Sequence, residues 1–209
     1  MNTYTDEWLL DSPILAKFID AVNEVRHRAP SPTQAVTEIR PGFAQLLADK
    51  IWLPQHFQEP AEESGMGRQI GMWLLYRSGD GGLAFSVLVL PHNVSTPVHD
   101  HLAWGLVGLY KGGQEEEVFE RYDHGGQHGH ADVRVKQRHQ LRPGDFYELT
   151  DAIDIHRVRT TSLETSVSLH LLGNDNGCIW RHKFTPEEGT VEPFRSGWLN
   201  VACREYAGD

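Results

Sequence analysis

The apolar positions of this chain keep two rhythms in turn. Near the start they recur every three or four residues. Beyond about residue 70 they fall into short runs bounded by turn residues. Ile14, Phe18, Val22 and Val25 form one stripe, which predicts a helix from residue 5 to about 28, with Ser12 as cap and Pro13 at the first helical position. Ala29-Pro30-Ser31-Pro32 breaks it. A second helix is expected over 33–49, interrupted at Pro41-Gly42, with Phe43, Leu46 and Leu47 on its apolar face. Both helices read as packing cover for a sheet. Residues 54–67 read as loop. Strands are expected at 72–77, 83–90, 99–111, 115–122, 133–138, 146–149, 155–160, 165–172 and 178–184. Ser78-Gly79-Asp80-Gly81-Gly82 and Arg142-Pro143-Gly144-Asp145 supply turns, and 123–130 supplies a hairpin tip. Residues 185–193 read as loop and 191–209 as an irregular tail. Many short strands at near-even spacing argue an antiparallel sandwich or barrel. The chain thus reads as one mainly β domain over 1–209, with a helical extension at 1–50 and a barrel at 71–200.

Composition narrows the partners. With 209 residues, 39% hydrophobic and 23% charged, the chain can bury a sizeable core. A net charge of −10 argues against nucleic acid, and no apolar run is long enough for a membrane span. The first residues lack the basic start and apolar core of a signal peptide. Two cysteines, Cys178 and Cys203, make no disulfide framework; the expectation is a cytoplasmic protein with both thiols reduced.

Chemistry concentrates around His99-Asp100-His101. Two histidines two apart on extended backbone project to one side and can grip one metal ion. His156 lies far downstream in a similar β-rich context. Three imidazoles by themselves suit iron, zinc, copper or nickel.

Val98-His99-Asp100-His101, the Pro143-Gly144-Asp145 turn and Asp154-Ile155-His156 together resemble the two metal motifs of the cupin superfamily. That resemblance implies a double-stranded β-helix, or jelly roll, with the N-terminal helices packed outside and a metal inside the barrel. Cupins commonly carry a glutamate four or five residues after the second histidine; here Gly105 and Leu106 stand there. A three-histidine set is similar to that of the thiol dioxygenases, cysteine dioxygenase and the bacterial 3-mercaptopropionate dioxygenases. Trp104-Gly105-Leu106-Val107-Gly108, Ser168-Leu169-His170, Arg181 and Phe194-Arg195-Ser196-Gly197-Trp198-Leu199-Asn200 resemble the bacterial branch.

The resemblance implies that His99, His101 and His156 hold Fe(II), that Arg181 clamps a substrate carboxylate, and that Ser168 and His170 begin a hydrogen-bonded relay. The implied reaction joins a small carboxylate-bearing thiol and O2 to give the sulfinate. The chain departs at Leu172, where the relay's tyrosine would stand, and at Gly105, about where a cross-linking cysteine would. Tyr147 or Tyr76 could bring a phenol from another strand. Another metal-dependent cupin enzyme, an isomerase or decarboxylase, and a small-acid-binding cupin without turnover remain the alternatives.

The remaining polar groups read as structural. His124, His128 and His130 on the glycine-rich tip are expected to be solvated, and His92 and His139 sit at strand ends. Glu115-Glu116-Glu117 reads as solvent-facing edge protection. Arg77 and Arg157 read as structural or solvated, and Cys178 as a small core residue.

Overall fold

The computed structural model describes residues 4–123, 125, 127–150 and 154–206. Helix α1 spans Pro13–Arg28 and helix α2 spans Pro32–Ala48. Each begins where a serine caps it: Ser12 Oγ accepts from Leu15 N at 3.4 Å and Ser31 Oγ from Gln34 N at 3.3 Å. Residues 5–11, expected as helix, instead contain strand β1 (Glu7–Trp8), which pairs with Tyr76 and Arg77. The buried stripe of α1 is Leu15, Phe18, Ile19, Val22 and Val25, whereas Ile14 is 42% exposed. Pro41 does not interrupt α2. Ala35, Val36 and Ile39 before it and Phe43, Leu46 and Leu47 after it lie buried on one continuous face. A proline inside a helix costs about 3 kcal/mol, and each of these larger side chains returns about 1.5–3 kcal/mol on burial. Gly42 lets the two helices meet, since a Cβ there would stand 3.2 Å from the Phe18 ring.

The loop at 54–67 holds a 3-10 turn (Gln55–Gln58) and leads into a small hairpin of β2 (Glu63–Ser64) and β3 (Gly67–Arg68). The strands that follow are β4 (Gly71–Arg77), β5 (Ala84–Leu90), β6 (Val98–His99), β7 (Gly105–Lys111), β8 (Gln114–Arg121), β9 (Val133–Leu141), β10 (Phe146–Leu149), β11 (His156–Thr160), β12 (Ser166–Leu172), β13 (Arg181–Thr185) and β14 (Thr190–Phe194). With β1 they form two six-stranded sheets, ordered β1-β4-β5-β12-β7-β10 and β14-β13-β6-β11-β8-β9. Every pairing is antiparallel. From β5 to β13 the chain passes repeatedly from one sheet to the other. This winding is the double-stranded β-helix, or jelly roll, with α1 and α2 laid against the outside of the first sheet.

The first sheet is buried on both faces, which makes β12 buried throughout. Val167, Leu169 and Leu171 face the helices in the larger core, together with Phe85, Val87 and Val89 of β5. By the period of two, Ser166, Ser168, His170 and Leu172 face the barrel interior.

The structure redraws three expected elements. The expected strand 99–111 is two strands in different sheets. The chain turns between them at Leu102, whose φ is +52°, and Asp154 accepts from the backbone N–H groups of His101 (2.9 Å) and Leu102 (3.0 Å). The expected loop at 185–193 turns at Gly189 and returns as β14, paired along β13. The expected reduced thiols are joined: Cys178 and Cys203 form a disulfide with Cα atoms 5.2 Å apart. The tail brings them together. Leu199 N donates to Met72 O, Asn200 bonds Leu74 through both its amide atoms, and Arg77 donates to Ala202 O. Among the described residues no helix is long and apolar enough to cross a membrane.

Candidate metal centre

His156 on β11 is the register partner of His99 on β6, so the two side chains are neighbours on the inner face of the second sheet. His101 follows two residues after His99. The ring centroids lie 4.9 Å (His99–His101), 4.9 Å (His99–His156) and 4.7 Å (His101–His156) apart. One ligand atom from each falls within 4.8 Å of the others, and all three side chains are buried. Among the described residues they are the one group of three or more with metal-holding geometry. His128 and His130 join no such group, and His124 lies outside the described residues.

The outer nitrogen of each ring has a partner. His99 Nδ1 is 2.9 Å from Pro97 O, His101 Nδ1 is 3.3 Å from Asp154 O, and His156 Nδ1 is 2.9 Å from Glu116 Oε1. These acceptors call for a proton on Nδ1 and leave Nε2 with a bare lone pair. His156 Nε2 is buried with no hydrogen-bond partner. Burial pushes the His99 pKa well down, aided by the charge of Arg181, and takes His101 down to about 4. Both rings are therefore neutral at pH 7, as metal ligands must be. A divalent ion fits this donor set.

Of the three acids expected to face solvent, Glu115 is half-buried and Glu116 and Glu117 are buried. Glu116 is 1% exposed, and its second oxygen accepts from His139 Nδ1 at 2.9 Å. Glu117 is also buried, bonded to Arg138 at 2.9 Å and paired with Arg157. The reason is position: β8 runs between β11 and β9, inside the sheet rather than at its edge. Alternation with Val118 was the available signal for Glu116, since both face inward. Asp100, also buried, accepts from His182 N at 2.7 Å and His182 Nδ1 at 2.6 Å. Asp154 and Asp100 stood within the quoted motifs without a role assigned to them.

Ser168 and His170 are in contact, with Ser168 Oγ 3.0 Å from His170 Nε2. Burial, then the charges of His101 and His156, pushes the His170 pKa well down. His170 and Leu172 line a cavity with His99, His101 and Arg181. No phenol lines it. Tyr147 lies behind His156 instead, its Oη 3.2 Å from Nδ1, and Tyr76 is bonded to Asp6 and Asn23 at the helix side of the sheet. At Gly105 a Cβ would stand 2.3 Å from Leu171 O, so no side chain fits there without a shift of backbone.

Arg181 is 2% exposed and reaches into the same cavity. Its Nε donates to Asn176 O (3.2 Å), Nη1 to Asp100 O (2.8 Å) and Nη2 to Ser196 Oγ (3.1 Å), and the guanidinium carbon lies 4.5 Å from the Phe194 ring centre. Every oxygen in that set is uncharged, and burial pushes the Arg181 pKa down to about 10. Arg77 contrasts with it: equally buried, it pairs with Glu7 and Asp175 and ties the chain ends to the sheet. Met66, Met72, Leu88, Leu172 and Trp198 line the rest of the cavity with Ser86 and Asn176.

No family model matches the chain. Solved structures with related folds include an uncharacterized conserved protein with a double-stranded β-helix domain from Klebsiella pneumoniae, at 9% identity over 71% of this chain and 99% of that one, TM-score 0.44. A cupin superfamily protein from Desulfitobacterium hafniense shares 16% identity over 61% of this chain and 94% of that one, TM-score 0.41. An oxalate oxidase in complex with glycolate shares 14% identity over 46% of this chain, TM-score 0.36, and the match spans 43% of that oxidase's length. Likenesses this distant carry no functional weight. The double-stranded β-helix rests on the strand pairings of this chain.

Proposed function

We propose that this chain is a mononuclear non-haem Fe(II) thiol dioxygenase that converts a small carboxylate-bearing thiol and O2 to the sulfinate. The observation that carries the reading is a cluster of three buried histidines, two of which line one cavity with an arginine that has no acidic ion-pair partner among the described residues.

His99, His101 and His156 would hold the ion through Nε2. When bound, Fe(II) supplies undiminished positive charge, which favours the thiolate form of the substrate, and electrons for oxygen chemistry. The rest falls to the chain. Arg181 donates to Asn176, Asp100 and Ser196 and weakly to Met66 Sδ at 3.8 Å, so a carboxylate that displaces the Met66 contact can take the remaining donors as a fork. A carboxylate there also neutralises a charge the fold buries at a cost. Asn176, Asp100 and Ser196 hold the guanidinium still, so the far end of a short acid is placed at the histidines. Met66, Met72, Leu88 and Leu172 keep water away. His170, neutral and bonded to Ser168, presents a fixed polar edge beside the histidines but has no phenol to pass a proton to. Leu172 makes that wall apolar, which favours a thiol acid without a further charged group over cysteine.

The space in which a water centre fits is only about 10 Å³, room for about one water, so a substrate must displace the flexible Met66 and Met72 side chains. A cytoplasmic setting belongs to the same proposal. The Cys178–Cys203 bond of the structure counts against a reducing compartment, so thiol counting on freshly extracted protein decides it: an intact bond overturns the cytoplasmic setting.

The test is oxygen uptake by protein loaded anaerobically with Fe(II), offered 3-mercaptopropionate, cysteine and mercaptosuccinate, with the sulfinate identified by mass spectrometry. Absence of thiol-dependent uptake across the panel retires the proposal. Oxygen-independent turnover with zinc or nickel would replace it with another cupin chemistry.

A further inference from the structure

The three imidazoles bring no charge to a cation, and among the described residues no carboxylate joins them. Negative charge stands one residue further out. Glu116 lies on β8, paired across to Val158, two residues from the Val118–His156 pair. One of its oxygens faces His156 Nδ1 and the other His139 Nδ1, at 2.9 Å each, and Tyr147 hydrogen-bonds it as well. Among the described residues it has no lysine or arginine partner. A carboxylate withdrawn from water with no permanent cation beside it is costly. The cost falls if positive charge sits nearby, and the His156 ring offers such a place on its far side, where Nε2 is buried and has no partner.

We infer that Glu116 is the positioning residue of the centre: from behind His156 it holds the ring with Nδ1–H toward the carboxylate and Nε2 bare, and it supplies the negative charge that the ligand set lacks. The inference rests on the reading that the three histidines hold a metal ion. It makes the three ligands unequal. His156 is backed by a carboxylate at hydrogen-bond distance. His101 has Asp154, whose Oδ1 is 3.4 Å from Nδ1 and already accepts from the His101 backbone N–H, while Oδ2 accepts from that of Leu102. Among the described residues, His99 has only the carbonyl of Pro97. His156 is thus the strongest donor of the three, because a carboxylate behind an imidazole raises its basicity. The charge that a ligating glutamate would contribute is kept, while the position it would occupy stays open for substrate.

Cobalt(II) alone is the probe. Anaerobic titration of apoprotein against a competing chelator, followed by the visible bands of the ion, gives the affinity of wild type and of Glu116→Gln. Glutamine keeps an acceptor toward Nδ1 and removes the charge. The expected result is binding weakened by roughly 10- to 100-fold, with the apoprotein's circular dichroism and melting temperature unchanged. An affinity within twofold of wild type overturns the inference. Wild-type protein that takes up no Co(II) overturns the metal-site reading beneath it. If the variant does not fold, the wild-type apoprotein answers: 15N shifts of His156 must show Nδ1 protonated and Nε2 bare, and the opposite tautomer overturns the inference.

Discussion

Arg181 offers the most direct quantitative test. A guanidinium whose pKa falls from the ordinary 12.5 to about 10 is destabilised in its charged form by about 3 kcal/mol. The folded chain carries that cost at any pH below about 10, since the unfolded arginine stays protonated in water. It is relieved only as pH rises from about 10 toward 12.5, beyond the useful range. A small carboxylate can relieve it at neutral pH. The recoverable energy, up to about 3 kcal/mol, corresponds to roughly a hundredfold preference for an acid over its neutral amide. The perturbation is therefore a ligand pair, propionate and propionamide, offered to wild type and to Arg181→Met in the absence of metal. At 100 times its dissociation constant a ligand stabilises by about 2.7 kcal/mol, and a chain of this size gains about 2–4 °C per kcal/mol. Propionate should raise the wild-type melting temperature by about 5–10 °C, propionamide should barely move it, and Arg181→Met should respond to neither. Equal shifts from acid and amide, or an undiminished propionate shift in Arg181→Met, would refute the reasoning.

Wild-type protein should bind one divalent ion per chain, and His99→Ala, His101→Ala or His156→Ala should each abolish stoichiometric binding; elemental analysis after desalting reads this directly. The apoprotein should lose stability on acidification. His101 titrates near 4 when folded and near 6.5 when unfolded, so between those values the unfolded chain binds more protons, and stability falls as pH drops. His101 alone accounts for about 2 kcal/mol between pH 7 and 5, and a flat apoprotein melting temperature over that range would contradict the burial described for it. Cys203→Ser should cost about 3.5 kcal/mol, the loop-closure value for a 25-residue separation, with denaturant unfolding in the absence of reductant as the measurement. Gly105→Ala should destabilise by at least 1–3 kcal/mol, because its Cβ meets the backbone oxygen of Leu171; an alanine variant as stable as wild type would show that β7 and β12 can part there.

The parts of this protein that could be read from residues alone are those with a local physical cause. Ser12-Pro13 offered a helix cap, Ala29-Pro30-Ser31-Pro32 marked the break between the helices, glycine and proline marked the turns, and the change of apolar period from between three and four to two separated helices from strands near residue 70. The His99–His101 spacing already placed two imidazoles on one side. The same strand spacing argued an antiparallel sandwich or barrel, and the motif resemblance implied the jelly roll. Pro41 misled because the cost of a proline is local, whereas the burial that outweighs it comes from α1 and the sheet.

What the tertiary structure alone decided depends on which segments become neighbours. Glu116 looked like a solvated charge until β8 was found between β11 and β9, which buries it and delivers it to His156. Cys178 and Cys203 looked like spare thiols until the tail was seen crossing β4. Arg181 was legible as a candidate but not its lack of an acidic partner, because that is a property of everything packed around it. A side chain's period is written into the chain beside it. Its charge balance belongs to neighbours from distant segments, and pairing distances across sheets are not encoded in any one stretch.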